Sequence, residues 1–204
     1  MIIASWQAVL TFALVVFLLL PLGRLSVGYR LATLLALILV ALIPLSTGLT
    51  LAGLLRGLTD DLAFTSLVWM AAAAAIKLGY MPPMSVAQKW PLWLCFGVLG
   101  LVLYPAALGI GMIDTYRWGY NARYLIIFVG LLTLLLVWLR SSLGLAMFLL
   151  ATLGFLLGLK VSDNYWDYLL DPFIVLYSLG AILITAIKVL MGSVKRTSRA
   201  DSRF

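Results

Sequence analysis

The sequence predicts an all-helical fold: a polytopic integral membrane bundle of about seven transmembrane helices, six if the second is incomplete. Three observations predict it. Of 204 residues, 65% are hydrophobic and only 10% charged, whereas a soluble domain carries about 25% charged residues. Apolar runs of helix length alternate with short polar breaks along the whole chain. The basic residues fall unevenly between the two sets of breaks, as they do when they orient membrane spans.

The spans are expected at residues 6–22, 31–54, 62–76, 90–110, 124–139, 143–159 and 172–191. No basic residue precedes Trp6, and Leu22-Gly23-Arg24 lacks the small-x-small pattern of a cleavage site, so the first span is read as a retained helix rather than a signal peptide. Pro44 and Gly48 interrupt the second span. Either it continues to residue 54, or it ends early and leaves 49–57 as a re-entrant or surface segment. The third span is short and carries five alanines, Ala71 to Ala75, which suit close packing inside a bundle. The span interiors hold almost no ionisable group. Lys77 and Lys188 lie near span ends, where a long side chain reaches the interface. With no repeat and no Pro-rich or Ser-rich linker, residues 1–192 form a single domain, and 193–204 read as a basic, disordered cytoplasmic tail.

Composition removes several chemistries. The chain has no His and no Glu, so imidazole bases, haem ligands and the usual zinc sites are absent. Cys95 is the only cysteine and leaves no intrachain disulfide. The lack of mid-span charges argues against a coupled pump. A net charge of +7 would suit nucleic acid in a soluble protein, but here it is read as orientation, with no nucleic-acid partner.

With the C-terminus inside, Arg24, Arg30, Lys77, Lys89, Arg140, Lys188 and the four basic residues of the tail fall on the inner side. Arg56, Arg117, Arg123 and Lys160 fall outside. That ten-to-four split predicts N-out, C-in. Six of the seven aspartates lie on the outer side.

The outer loops hold the candidate site, because their charged and aromatic residues exceed what turning the chain requires. The first contains Arg56, Asp60 and Asp61; the second Asp114, Tyr116, Arg117, Trp118, Tyr120 and Arg123; the third Asp163, Trp166, Asp167 and Asp171. Asp60 and Asp61 either hold a divalent ion or cap the third span. Asp163, Asp167 and Asp171 recur every four residues, which on a helix forms a carboxylate row, with Tyr165, Trp166 and Tyr168 resting on the headgroups. On the bland alternative, Ser162 or Asp163 caps a short helix and Asp171 caps the last span ahead of Pro172. Arg117 and Arg123 among tyrosines and Trp118 suit a lipid phosphate, or else form an aromatic belt with paired arginines. Asp167 and Arg117 either pair across loops or face a partner.

These features point first to a small accessory protein of the bacterial inner membrane with no catalysis of its own and no cofactor. Its outer loops dock a membrane or periplasmic protein, or a lipid, in envelope biogenesis. One rival is an enzyme, a transferase or hydrolase acting on a lipid-linked phosphate, with Mg²⁺ or Ca²⁺ on Asp60, Asp61 or Asp167. Another is a lipid or small-solute carrier using the Pro44/Gly48 and Pro105/Gly109 breaks. Loops meeting in one concave pocket favour the enzyme or carrier; loops spread as a flat rim favour docking.

Overall fold

The computed structural model describes residues 3–46, 48–110 and 112–201, with side chains described between residues 6 and 191. The order is α1 (Ile3–Leu19), α2 (Val27–Ala41), α3 (Leu51–Thr59), α4 (Phe64–Leu78), α5 (Val86–Ala107), α6 (Arg123–Trp138), α7 (Ser142–Leu156), α8 (Trp166–Leu169) and α9 (Pro172–Asp201). Short 3₁₀ turns occupy Leu22–Arg24 and Tyr116–Gly119. No strand occurs among the described residues, and the one extended pairing is a single bridge between Pro44 and Thr50.

Seven of these helices are long and match the seven expected runs, but the second run is not one span. α2 stops at Ala41. The chain reverses through Pro44 and Gly48, whose φ of 78° favours glycine. Thr50 then caps α3, its Oγ1 accepting from the Gly53 N–H at 3.1 Å. A continuous helix over 31–54 is thereby corrected to two helices, because Pro44 and the left-handed Gly48 resist helical continuation. Pro105 lies inside the last turn of α5, so the chain breaks only after Ala107, at Gly109. α9 stays helical past residue 192, into the stretch read as a disordered tail; residues 202–204 lie outside the described set.

α4 sits centrally and packs on α1 and α7, while α1 also meets α2 and α3, and α6 packs on α7. Of the five alanines on α4 only Ala74 is buried, and Ala71 is exposed. The buried face of α4 is carried mainly by its N-terminal end, Phe64 to Leu67. α5 and α9 form the most extensive pair. Gly97 and Gly100 make it close: a Cβ at Gly97 would lie 3.2 Å from Leu179, and one at Gly100 would overlap Val175. The main core gathers Leu92, Phe96, Met147 and Phe148 with Tyr165, Trp166 and Tyr168.

One end of the bundle is tied by two cations. Lys77 Nζ donates to the carbonyls of Phe17, Leu18 and Leu20, at 2.8, 2.9 and 2.5 Å. Arg30 donates to those of Gly23, Leu25 and Lys77. Lys77 therefore does not simply reach for the interface: it satisfies carbonyls that the end of α1 leaves open. Arg24, Arg30 and Lys77 share this end, while Arg56, Arg117 and Lys160 lie at the other.

Two helices, Val86–Ala107 and Pro172–Met191, are long and apolar enough to cross a membrane, and only 39% and 17% of their apolar windows are buried. A core helix of a soluble protein would bury most of its surface, so these outward apolar faces suit lipid. α1, α2, α4, α6 and α7 have 15–17 residues. At 1.5 Å per residue they reach about 22–26 Å, short of the hydrocarbon thickness of about 30 Å.

Candidate functional site

At the end of the bundle opposite Lys77, α3 closes on Asp60, which takes a left-handed conformation (φ 57°) with its N–H on the Arg56 carbonyl at 2.8 Å. Asp61, the next residue, pairs with Arg56, Nη2 to Oδ2, at 2.7 Å; its side chain is 7% exposed against 37% for the arginine. The expected cap of the third span by Asp60 or Asp61 is corrected here. α4 begins at Phe64 with Ala63 in the cap position, where no side chain is available. The Ala63 N–H is met instead by Asp171 Oδ2 at 2.9 Å, from 108 residues away. The other oxygen of Asp171 accepts from the Ile174 N–H at 2.9 Å, so this aspartate also caps α9 ahead of Pro172, as its position implied.

The third loop carries a larger correction. α8 is only four residues long, so Asp163, Asp167 and Asp171 share no helix face. Asp163 is exposed. The turn into α8 is built by Asn164, fully buried, whose Oδ1 accepts from the Trp166 N–H at 2.9 Å and whose Nδ2 donates to the Tyr116 carbonyl at 3.1 Å. Neither Ser162 nor Asp163 accepts from a backbone N–H of α8; Ser162 Oγ instead accepts from the Asn164 N–H. Tyr165, Trp166 and Tyr168, expected on headgroups, are 0–1% exposed. They point inward because each polar tip finds a protein partner: Tyr165 bonds Thr152, Trp166 Nε1 donates to the Thr115 carbonyl, and Tyr168 bonds the Lys160 backbone.

The second loop docks on the third through Gly119. Its carbonyl accepts from the Tyr165 N–H at 3.0 Å, and a Cβ there would overlap Asn164 Oδ1. Asp114 Oδ1 accepts from the Arg117 N–H at 3.1 Å and secures the start of the 3₁₀ turn. Successive residues of that turn face different spaces. Tyr116 donates to both oxygens of Asp167, at 3.2 and 3.3 Å, and Ser162 Oγ also donates to this carboxylate. Arg117 and Trp118 line a second cavity. Asp167 and Arg117 are therefore not a cross-loop pair, and the arginines are not paired to neighbouring aspartates: the one ion pair among the described residues is Arg56 with Asp61. Arg123 opens α6 and is exposed, outside both cavities.

All three loops meet at one cavity of about 460 Å³, lined among others by Arg56, Asp60, Asp61, Tyr104, Lys160 and Asp167. Four carboxylates, counting Asp171, face two cations there. Asp167 and Asp171 have protein donors on their carboxylates, whereas Asp61 Oδ1 is buried with no partner. Tyr116 titrates above its usual range, because burial and then the Asp167 charge disfavour its phenolate, so it stays a donor. Lys160 Nζ, half-buried, binds the carbonyls of Asp61 and Asp167 at 2.7 Å each and joins the first loop to the third.

Burial lowers the Lys160 pKa below its ordinary 10.5, partly opposed by Asp167, Asp61, Asp60 and Asp171. Below 10.5 there is thus a window in which the unfolded chain holds the proton and the folded chain has released it. Stability contributed by this residue rises with pH across that window. The apparent unfolding temperature of wild type relative to Lys160→Gln should accordingly rise between pH 8 and 10. A flat difference would show that Lys160 keeps its ordinary pKa.

The three aspartates considered as metal ligands, Asp60, Asp61 and Asp167, form no three-ligand group among the described residues. Asn164, Lys160, Ser162 and Tyr104 were not singled out from the sequence as site residues. Lys160 alone carried a signal: a lysine at the outer end of an apolar run, against the orientation bias. Searches against protein-family models, curated proteins and solved structures find no match. The fold itself defines the class: among the described residues, a helical chain without strands, with two membrane-length helices and an acidic concavity at a loop-bearing end.

Proposed function

We propose that this is a seven-span protein of the bacterial inner membrane, N-terminus outside and C-terminus inside, which holds the polar head group of a membrane lipid or lipid-linked precursor in its outer cavity as an accessory of envelope biogenesis. The observation that carries this reading is the convergence of three separate loops on one concavity rather than a flat rim. Its volume suits a head group better than a protein surface. Four carboxylates against two cations favour a head group that carries an amine, and Arg56, with one guanidinium nitrogen on Asp61 and its remaining N–H groups without a partner among the described residues, offers a contact for that head group's phosphate. The chain path brings Arg30 and Lys77 together at the end of α1, the grouping of basic residues on which this orientation rests.

The test has two arms. Reporter fusions at position 192 and between residues 80 and 89 should both read cytoplasmic; a periplasmic signal from either reverses the orientation. Ala107 lines the cavity and is exposed, so Ala107→Trp fills the space without removing a described bond. That variant should accumulate and melt like wild type while losing its co-purifying lipid or partner and its cellular function. Unchanged function in Ala107→Trp removes the cavity from the mechanism. Melting temperature should not respond to Mg²⁺ or Ca²⁺. A rise, reflecting a stabilisation of about 2.7 kcal/mol at a hundredfold excess over Kd, would favour the metal-dependent enzyme.

A further inference from the structure

A second cavity, of about 770 Å³, lies on the side of the bundle. It exists because α5 and α6, consecutive in the chain, lean on different partners: α5 on α9 and α6 on α7. The gap between them is walled by Val98 and Val102 of α5 and by Tyr124 and Phe128 of α6, with Trp166 at its floor and Arg117 at its outer mouth. The four wall residues are 44–77% exposed, whereas Trp166 is 1% exposed. Val98 to Val102, like Tyr124 to Phe128, spans about one helical turn, so each helix lends a full turn to the wall.

We propose that this groove binds one acyl chain of an anionic phospholipid, with the lipid phosphate on Arg117. Charge complementarity selects the occupant. Arg117 is the one charged residue lining the groove; it is exposed, and its guanidinium has no partner among the described residues. Asp114, the nearest carboxylate in sequence, accepts from the Arg117 backbone N–H. A guanidinium fork at the end of an apolar slot matches a phosphate oxygen pair above a hydrocarbon tail. Asn121 adds an amide at the same mouth, and Trp118, Tyr120 and Tyr124 give it the aromatic rim found at headgroup depth. A zwitterionic lipid also fills the slot with its chain, but its ammonium offsets the attraction. Preference for net negative charge is thus the property that separates this site from the general lipid coat. The groove is separate from the outer cavity, and its occupancy does not depend on the function proposed for that cavity.

Trp118 and Trp166 border the groove and report on it. The full chain is reconstituted in phosphatidylcholine vesicles and titrated with phosphatidylglycerol or phosphatidylcholine brominated along the acyl chain, and quenching of tryptophan fluorescence is followed. Wild type should take up the brominated phosphatidylglycerol about two- to fivefold more tightly, the range of one exposed ion pair. Arg117→Gln breaks no described bond and should abolish that preference while leaving quenching by the brominated phosphatidylcholine. Val98→Trp should lower quenching by both lipids after correction for the added indole. Ala107→Trp, which fills the other cavity, should change neither after the same correction. Equal affinity for the two lipids in wild type, or a preference that survives Arg117→Gln, overturns the proposal.

Discussion

Replacing Asp171 by Ala lowers the apparent unfolding temperature in mild detergent by roughly 5–15 °C, the shift that about 2–4 kcal/mol produces in a chain of this size. The size follows from two bonds lost together. Asp171 Oδ1 caps α9 at Ile174 and Oδ2 satisfies Ala63 at the start of α4. Ala63 is 0% exposed, so no water replaces the second bond. Asp171→Asn keeps one acceptor oxygen and should lose about half as much. If Asp171→Ala melts like wild type, α4 and α9 are not joined through this carboxylate. Because the same residue edges the outer cavity, ligand retention should fall with stability in the alanine variant.

The second large effect belongs to Asn164. Asn164→Ala leaves the Trp166 N–H and the Tyr116 carbonyl without partners in a buried turn and opens a void beside Gly119, at a cost of about 2–4 kcal/mol. Asn164→Asp separates the two bonds. Its carboxylate still accepts from Trp166 but repels the Tyr116 carbonyl, so the variant should be weakest at neutral pH and recover part of its stability as the solution is acidified and the added group gains a proton. Thermal scans of both variants at pH 5 and pH 7.5 check this. A pH-independent Asn164→Asp would show that the Nδ2 bond contributes nothing. Both substitutions should also detach the second loop from the third and abolish binding in the outer cavity.

These residues mark where the sequence could and could not be followed. Apart from the second run, which overran Ala41 to residue 54, and the last, which stopped ten residues before the end of α9, the apolar runs located the long helices to within a few residues, since an apolar stretch of that length has few other solutions. Asp171 before Pro172 was legible because capping depends on immediate neighbours. Asp60 and Asp61 carried the same local chemistry, yet their side chains turn back to α3 or face the cavity, because Asp171 already occupies the Ala63 N–H. A contact across 108 residues leaves no trace in spacing. In the third loop the four-residue spacing implied one helix face, but Asn164 starts the helix late and turns the aromatic residues inward. Lys77 was read by the habit of long side chains near water, and the open carbonyls of α1 were the stronger attraction. The three loops do share one end of the bundle; what they did with each side chain depended on partners that only the fold supplies.

The bond from Asp171 to Ala63 also bears on the order in which the chain is made. α4 leaves the ribosome long before the residue that completes its first turn, and Gly97 and Gly100 of α5 likewise wait for Val175 and Leu179. A nascent chain that has inserted everything up to α7 therefore lacks the cap of α4, the partner of α5 and one edge of the outer cavity. Arrival of the last helix joins all three in one event, so the cavity is completed at the end of synthesis instead of growing with each helix.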